Sequence, residues 1–178
     1  MRTLVVIFTG ILVLATLASF ERKPREIEIP CQKEGLSDKQ YFRASGSAKS
    51  KDMAYAKDKS LLIAMQTLAS LISSTIESVS SNYSSSISGE NSNSFKEAFE
   101  TLTRETVNQQ LKNVSITCQK TNKTKDGYEV FTAVEMSKVK LIDAISTNIN
   151  ADPNLKANFD EQKFRKIFDS EMEKFKEE

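Results

Sequence analysis

Histidine and tryptophan are absent from this chain of 178 residues. Without histidine, Ser-His-Asp and Cys-His catalysis in their usual forms are excluded, and so are zinc sites built on imidazole. The two cysteines, Cys31 and Cys118, cannot supply a four-thiolate zinc site within one chain. Neither sign of charge is in excess: 25 Lys and Arg stand against 24 Asp and Glu, with a pI of about 7.7. A nucleic-acid binder would carry a basic face or block, and none is present. There is no Gly-rich phosphate loop. The acidic residues are numerous enough that carboxylate pairs can be drawn anywhere, yet none sits in a recognisable acid/base context. These absences point away from an enzyme and away from any metal or cofactor.

What is present begins with an export signal. Met1-Arg2 is followed by an apolar run from Leu4 to Leu17 and by small residues at Ala15, Ala18 and Ser19. That order is the order of a secretory signal peptide over 1–19, cleaved after Ala18 or Ser19. The run is shorter than a spanning helix. Phe20-Glu21 stands where a lipidated cysteine would follow the signal, so no lipid anchor is expected. No later segment reads as long and apolar enough to span a bilayer. The mature chain is then expected in the periplasm or outside the cell, with a main domain over 20–150 and a helical tail over 151–178.

An even cysteine pair in an exported chain predicts a disulfide, Cys31–Cys118. The two are far apart in sequence and lack Cys-x-x-Cys spacing, which argues for a structural bond over a redox pair. Asn82, Asn113 and Asn122 each open an Asn-x-Ser/Thr acceptor pattern, which matters only in a eukaryotic host; a bacterial source is expected.

Arg25–Cys31 alternates charged and apolar residues and predicts a strand ending at Pro30. Tyr41–Ala44 predicts a second, left through Ser45-Gly46-Ser47, where Gly46 marks a positive φ or a close backbone approach. Ser47 or Ser50 is placed to cap the next helix, with Asp52 favourable at its start. From Met53 to Ile72 the apolar residues keep helical spacing, and Ala56, Ser60 and Ala64 repeat every fourth residue, small enough to let a helix lie close to a sheet. Lys57 falls within the stripe, with its methylenes over the core and its amine in water. No neighbour identifies it as a catalytic lysine.

Ser73–Asn93 is rich in serine and asparagine and reads as a solvated connection. A second helix is predicted from about Ser92 to Lys112 on Phe95, Phe99 and Leu102. Val114, Ile116 and Cys118 alternate with polar residues, and Asp126-Gly127 is a strong turn signal before Tyr128–Met136; together they predict a β-hairpin. A third helix follows over Ser137–Asn148. Asp152-Pro153 then caps a last helical segment carrying Phe164, Ile167, Phe168, Met172 and Phe175 in one stripe. This tail is expected to dock on its own domain or to make an oligomer contact, and less so to lie on a membrane, because its acidic residues match its basic ones.

With these elements placed, YFRASGSAKS, the helix AYAKDKSLLIAMQTLASLI and the VSITCQK–DGYEVFTAVEM hairpin resemble the bacterial envelope family typified by a twenty-kilodalton lipoprotein, whose fold is shared by the amino-terminal domain of flagellar assembly protein T. The resemblance covers Tyr41–Ile145. It implies helices on one antiparallel sheet, export to the envelope and no enzymatic activity. Members are often lipidated at a cysteine after the signal, which this chain lacks. The expected class is α+β, a two-layer sandwich with helices on one sheet face and a C-terminal amphipathic helix. The expected role is a non-catalytic envelope protein working through a protein partner or self-association. The alternative is a small-molecule or glycan binder whose pocket, between the long helix and the sheet, would gather Tyr55, Tyr128 and Phe131.

Overall fold

The computed structural model describes residues 27–87 and 92–173. The signal segment, Phe175 and the beginning of the predicted Arg25–Cys31 strand lie outside them. The fold is α+β, as the sequence predicts, with one three-stranded antiparallel sheet in the order β1-β3-β2. The strands are β1 (Tyr41–Ser50), β2 (Ser115–Thr124) and β3 (Gly127–Ser137). The helices are α1 (Met53–Ser85), α2 (Ser92–Gln110), α3 (Lys138–Ala151), the single turn α4 (Pro153–Lys156) and α5 (Glu161–Glu173).

Alternation along β1 and β3 sends Phe42, Ala44, Ala48, Val130, Thr132, Val134 and Met136 to one face, all buried. The first half of α1 lies on that face through Ala56, Ser60 and Ala64, each fully buried. Gly46 is not in a turn; it sits mid-strand, and a Cβ there would fall 2.6 Å from the Ala64 backbone nitrogen and 2.8 Å from the Ser60 carbonyl oxygen. The close approach expected of this glycine is therefore to the backbone of α1, and it lets β1 continue to Ser50. Asp52, rather than Ser47 or Ser50, caps α1, accepting from the Ala54 N–H at 2.7 Å and from Tyr55. Ser50 supports the cap by accepting from the Asp52 N–H.

Two sequence expectations fail here. Ser73–Asn93 is no loop over most of its length, because α1 continues to Ser85. Ser74 and Thr75 return their hydroxyls to the Leu71 carbonyl and Ser85 to Ser81, so these residues meet their hydrogen-bonding needs inside the helix. The extended α1 is also long and apolar enough, by length and composition, to pass for a spanning helix, contrary to the reading that no later segment is. Here it serves as the core helix, with Ala64, Leu68, Ile72 and Val79 fully buried within the fold.

The other failure is the first predicted strand. Residues 27–29 form no strand, and Ile27 and Ile29 are exposed. The chain then crosses the sheet face opposite α1. A 3-10 turn over Lys33–Gly35 packs on β1 and β3 there, and Gly35 approaches Ser45 so closely that a Cβ would clash.

The second half of α1 runs past the sheet into a helical layer. Tyr83, fully buried, is surrounded by Phe95, Phe99, Phe159 and Phe164, with ring centroids 5.2–6.5 Å away. The tail docks on its own domain: Phe164, Phe168 and Met172 of α5 are buried in the same core, and Phe168 meets Phe42 edge to face.

Candidate functional site

The β-hairpin is as predicted, with one consequential difference. A bulge in β2 lets Ile116 pair with Val134 and Cys118 with Ala133, a step of two residues along β2 against one along β3. Ile116 and Cys118, predicted on one face, are thereby turned to opposite faces. Ile116 points to the α1 side, 51% exposed, while Cys118 points to the far side. There it meets Cys31, and the disulfide closes with Cα atoms 5.5 Å apart. Cys31 adopts φ 59°, a left-handed conformation uncommon for a non-glycine residue. Its sulfur lies 3.6 Å from the Phe131 carbonyl oxygen. A disulfide sulfur carries no proton to donate, so this is a contact and not a hydrogen bond.

Every residue of β2 except Cys118 and Thr124 is exposed. The cause lies first in composition: SITCQKTNKT offers two apolar side chains in ten and cannot build a buried face. It lies second in architecture, because α1 makes its sheet contacts chiefly with β1 and β3. The strand is held by its pairing to β3, by the disulfide and by one polar chain. In that chain Gln119 Nε2 donates to Thr132 Oγ1 at 3.2 Å. Thr132 and Ser60 share a buried hydroxyl bond of 2.7 Å, and Ser60 donates on to the Lys57 carbonyl at 2.9 Å.

The two edges of the sheet differ. Pairing of Thr124 with Gly127 across the Lys125-Asp126 turn sets the ladder alternation. Gln119, Thr121 and Lys123 then turn their N–H and C=O groups away from β3. On β1 the same alternation turns Arg43 outward. There Ser37 Oγ accepts from the Arg43 N–H at 2.8 Å and donates to its carbonyl at 3.2 Å, closing that edge at Arg43. The Arg43 guanidinium further bonds Glu135, Asp38 and the Leu36 carbonyl. Burial works against ionisation of Asp38, but hydrogen bonds from Gln40, Arg43 and Tyr41 outweigh it and hold its carboxyl below the ordinary value. No such loop covers β2 among the described residues. Lys120 and Lys123 stand on opposite faces of it, and neither forms an ion pair there.

The other sequence candidates are dispersed. Tyr128 shares the α1 face of β3 with Val130, Phe131 lies on the far face, and Tyr55 is 57% exposed on α1, so the three aromatics do not converge. Glu171 is the buried carboxylate among the described residues, and Ser78 and Asn82 donate to it at 3.1 and 2.7 Å. It faces no second buried carboxylate. Asn82 engages its amide with this carboxylate, although the residue is exposed, as Asn113 and Asn122 are. No group of three His, Cys, Asp or Glu residues is placed to hold a metal ion among the described residues. Two clefts remain. One of about 350 Å³ lies between α1 and α2, with Ile76, Ser80 and Val107 toward the core and Glu77 and Arg104 on its walls. The other, about 400 Å³, lies between α3 and α5 beside Lys138 and Phe168. Sequence reasoning missed the open edge of β2. Its signal was the shortage of apolar residues in Ser115–Thr124 beside the apolar run of β3. No protein-family model, no curated protein and no solved structure matches the chain.

Proposed function

We propose that this chain is an exported, non-catalytic envelope protein that works by contact with other proteins, with the open edge of β2 as its contact surface. The observation that carries this reading is a ten-residue strand that, among the described residues, pairs on one side only and keeps most of its side chains exposed. Such an edge is a template for another strand; this one is neither short nor covered by a described residue, and its lysines restrict which strand can pair with it. The Cys31–Cys118 bond supports an oxidising compartment, periplasmic or extracellular. The resemblance to the envelope lipoprotein family supports the same address, without the lipid. The test is site-specific photo-cross-linking in the native host. A cross-linking residue at Gln119 is expected to give one discrete adduct, and one at Lys59 on α1 none. Equal or absent adducts at both positions would sink the reading.

A second reading, a small-molecule or glycan binder, is favoured by the α1–α2 cleft. There Ser80 Oγ is buried without a hydrogen-bond partner among the described residues, and Glu77 and Arg104 make no ion pair with them. Thermal-shift screening against envelope glycans and lipids separates the readings. A dose-dependent stabilisation of several degrees that Arg104→Ala abolishes would favour the cleft.

A further inference from the structure

We infer that the open edge of β2 takes an extended segment with acidic residues three positions apart, added as a fourth antiparallel strand. This rests on the contact-surface reading above and specifies the partner's chemistry.

The main chain supplies the docking groups. Gln119, Thr121 and Lys123 present N–H and C=O at alternate positions, so an incoming strand gains paired hydrogen bonds without displacing any described residue. On β1 the groups of Arg43 are already taken by Ser37, which blocks strand addition at that end of the opposite edge. The side chains supply the selection. β2 carries Lys120 and Lys123 and no acidic residue, and Lys125 follows in the turn. Nearby carboxylates on β3 are already engaged, Glu135 by Arg43 and Glu129 by Lys49; Glu28 and Glu34 line a cleft with Lys120 but form no ion pair with it, and Glu28 pairs with Lys33. Lys120 registers with Phe131 on the far face and Lys123 with Tyr128 on the α1 face. A strand laid beside them meets both amines when its carboxylates stand three residues apart, one on each face. Ile116, half exposed near the bulged end, offers an apolar neighbour on the α1 face.

Charge also decides against the most available competitor. A second copy paired through its own β2 would bring more lysines and no carboxylate to the junction. The same lysines keep the edge from self-pairing and admit an acidic strand, since like charges facing each other repel and opposite charges attract.

The experiment uses the disulfide-intact protein and an acetylated, amidated peptide, TVEVTEVT, with TVKVTKVT as control. Backbone amide shifts of β2 are followed on titration by NMR. Saturable shifts at Gln119–Lys123 are expected with the acidic peptide, with a Kd on the order of 100 µM, and none with the lysine peptide. The double substitution Lys120→Glu with Lys123→Glu should reverse that preference, and it leaves the ladder intact. Thr121→Pro, which removes one outward N–H, should weaken binding of the acidic peptide at least tenfold. Absence of shifts at millimolar peptide, equal binding of both peptides, or an unchanged preference in the double variant would overturn the inference. So would a dimer in sedimentation that Thr121→Pro dissolves, since the second copy would then be the occupant. Cross-links at Gln119 that persist while the peptide fails would end this inference and leave the contact-surface reading standing.

Discussion

The first half of α1 shows alanine and serine to the sheet, and the second half shows isoleucine, valine and tyrosine to other helices. The partner sets the difference. Against β1 the helix comes to backbone contact at Gly46, so side chains there must be small and an added methyl has nowhere to go. Past the end of the sheet the space is wider, and Tyr83 with the four phenylalanine rings around it fills it. One helix therefore obeys opposite rules along its length: bulk destabilises at one end and loss of bulk at the other. The sheet end is also tied covalently across its far face, where Cys31 joins Cys118, while the aromatic end has no such tie.

The comparison can be broken most strongly at that tie. Replacing both Cys31 and Cys118 by serine opens a loop spanning a sequence separation of 87. On the chain-entropy account this should cost about 4–5 kcal/mol in denaturant unfolding. Hydrogen exchange should show the Lys33–Gly35 turn and β2 opening before α1 does. If the helical layer opened first, the two-region picture would be wrong.

At the aromatic end, Phe164→Ala should cost about 3–5 kcal/mol, because a fully buried ring in contact with Tyr83 and Phe99 leaves a cavity. At the sheet end the informative change adds atoms. Gly46→Ala should cost about 1–3 kcal/mol, since the colliding atoms are helix backbone and cannot rotate away. A neutral or stabilising result in thermal unfolding would mean that α1 can lift off the sheet.

The smallest effect sharpens the aromatic end. The Tyr83 hydroxyl accepts from the Asp160 N–H at 2.7 Å, fixing the entry to α5. Tyr83→Phe should cost about 1–2 kcal/mol. Burial pushes this phenol above its ordinary pKa. The fold therefore holds the neutral form more tightly than the unfolded chain does. That contribution is complete below the unfolded-state value, near pH 10, and is lost as pH rises through the folded-state one. Tyr83→Phe should flatten the alkaline limb of a stability–pH profile, and an unaltered limb would contradict the assignment.

Much of this was readable along the chain. The cap at Asp152-Pro153, which opens the single turn α4 while α5 starts anew at Glu161, the turn at Asp126-Gly127 and the small-residue repeat Ala56, Ser60, Ala64 each carry their own local cause. The serine-rich segment after Ile72 misled because composition was weighed above spacing: Ile72, Ile76, Val79 and Tyr83 already keep the helical interval, and serine hydroxyls can bond within a helix. Arg25–Cys31 misled in the opposite sense. Its alternation is regular, but no strand edge pairs with residues 27–29, and their isoleucines stay in water.

The sequence by itself determined the α+β class, the hairpin, most of the helix starts and the pairing of the two cysteines, because spacing, caps and turn residues act over a few positions. Only the tertiary structure decided that no described residue would cover the outer edge of β2, that a bulge would turn Cys118 toward Cys31, and that four phenylalanine rings would surround Tyr83. Those outcomes depend on how far one helix reaches across a sheet and where it passes the sheet's end, and no short stretch of residues encodes such a distance.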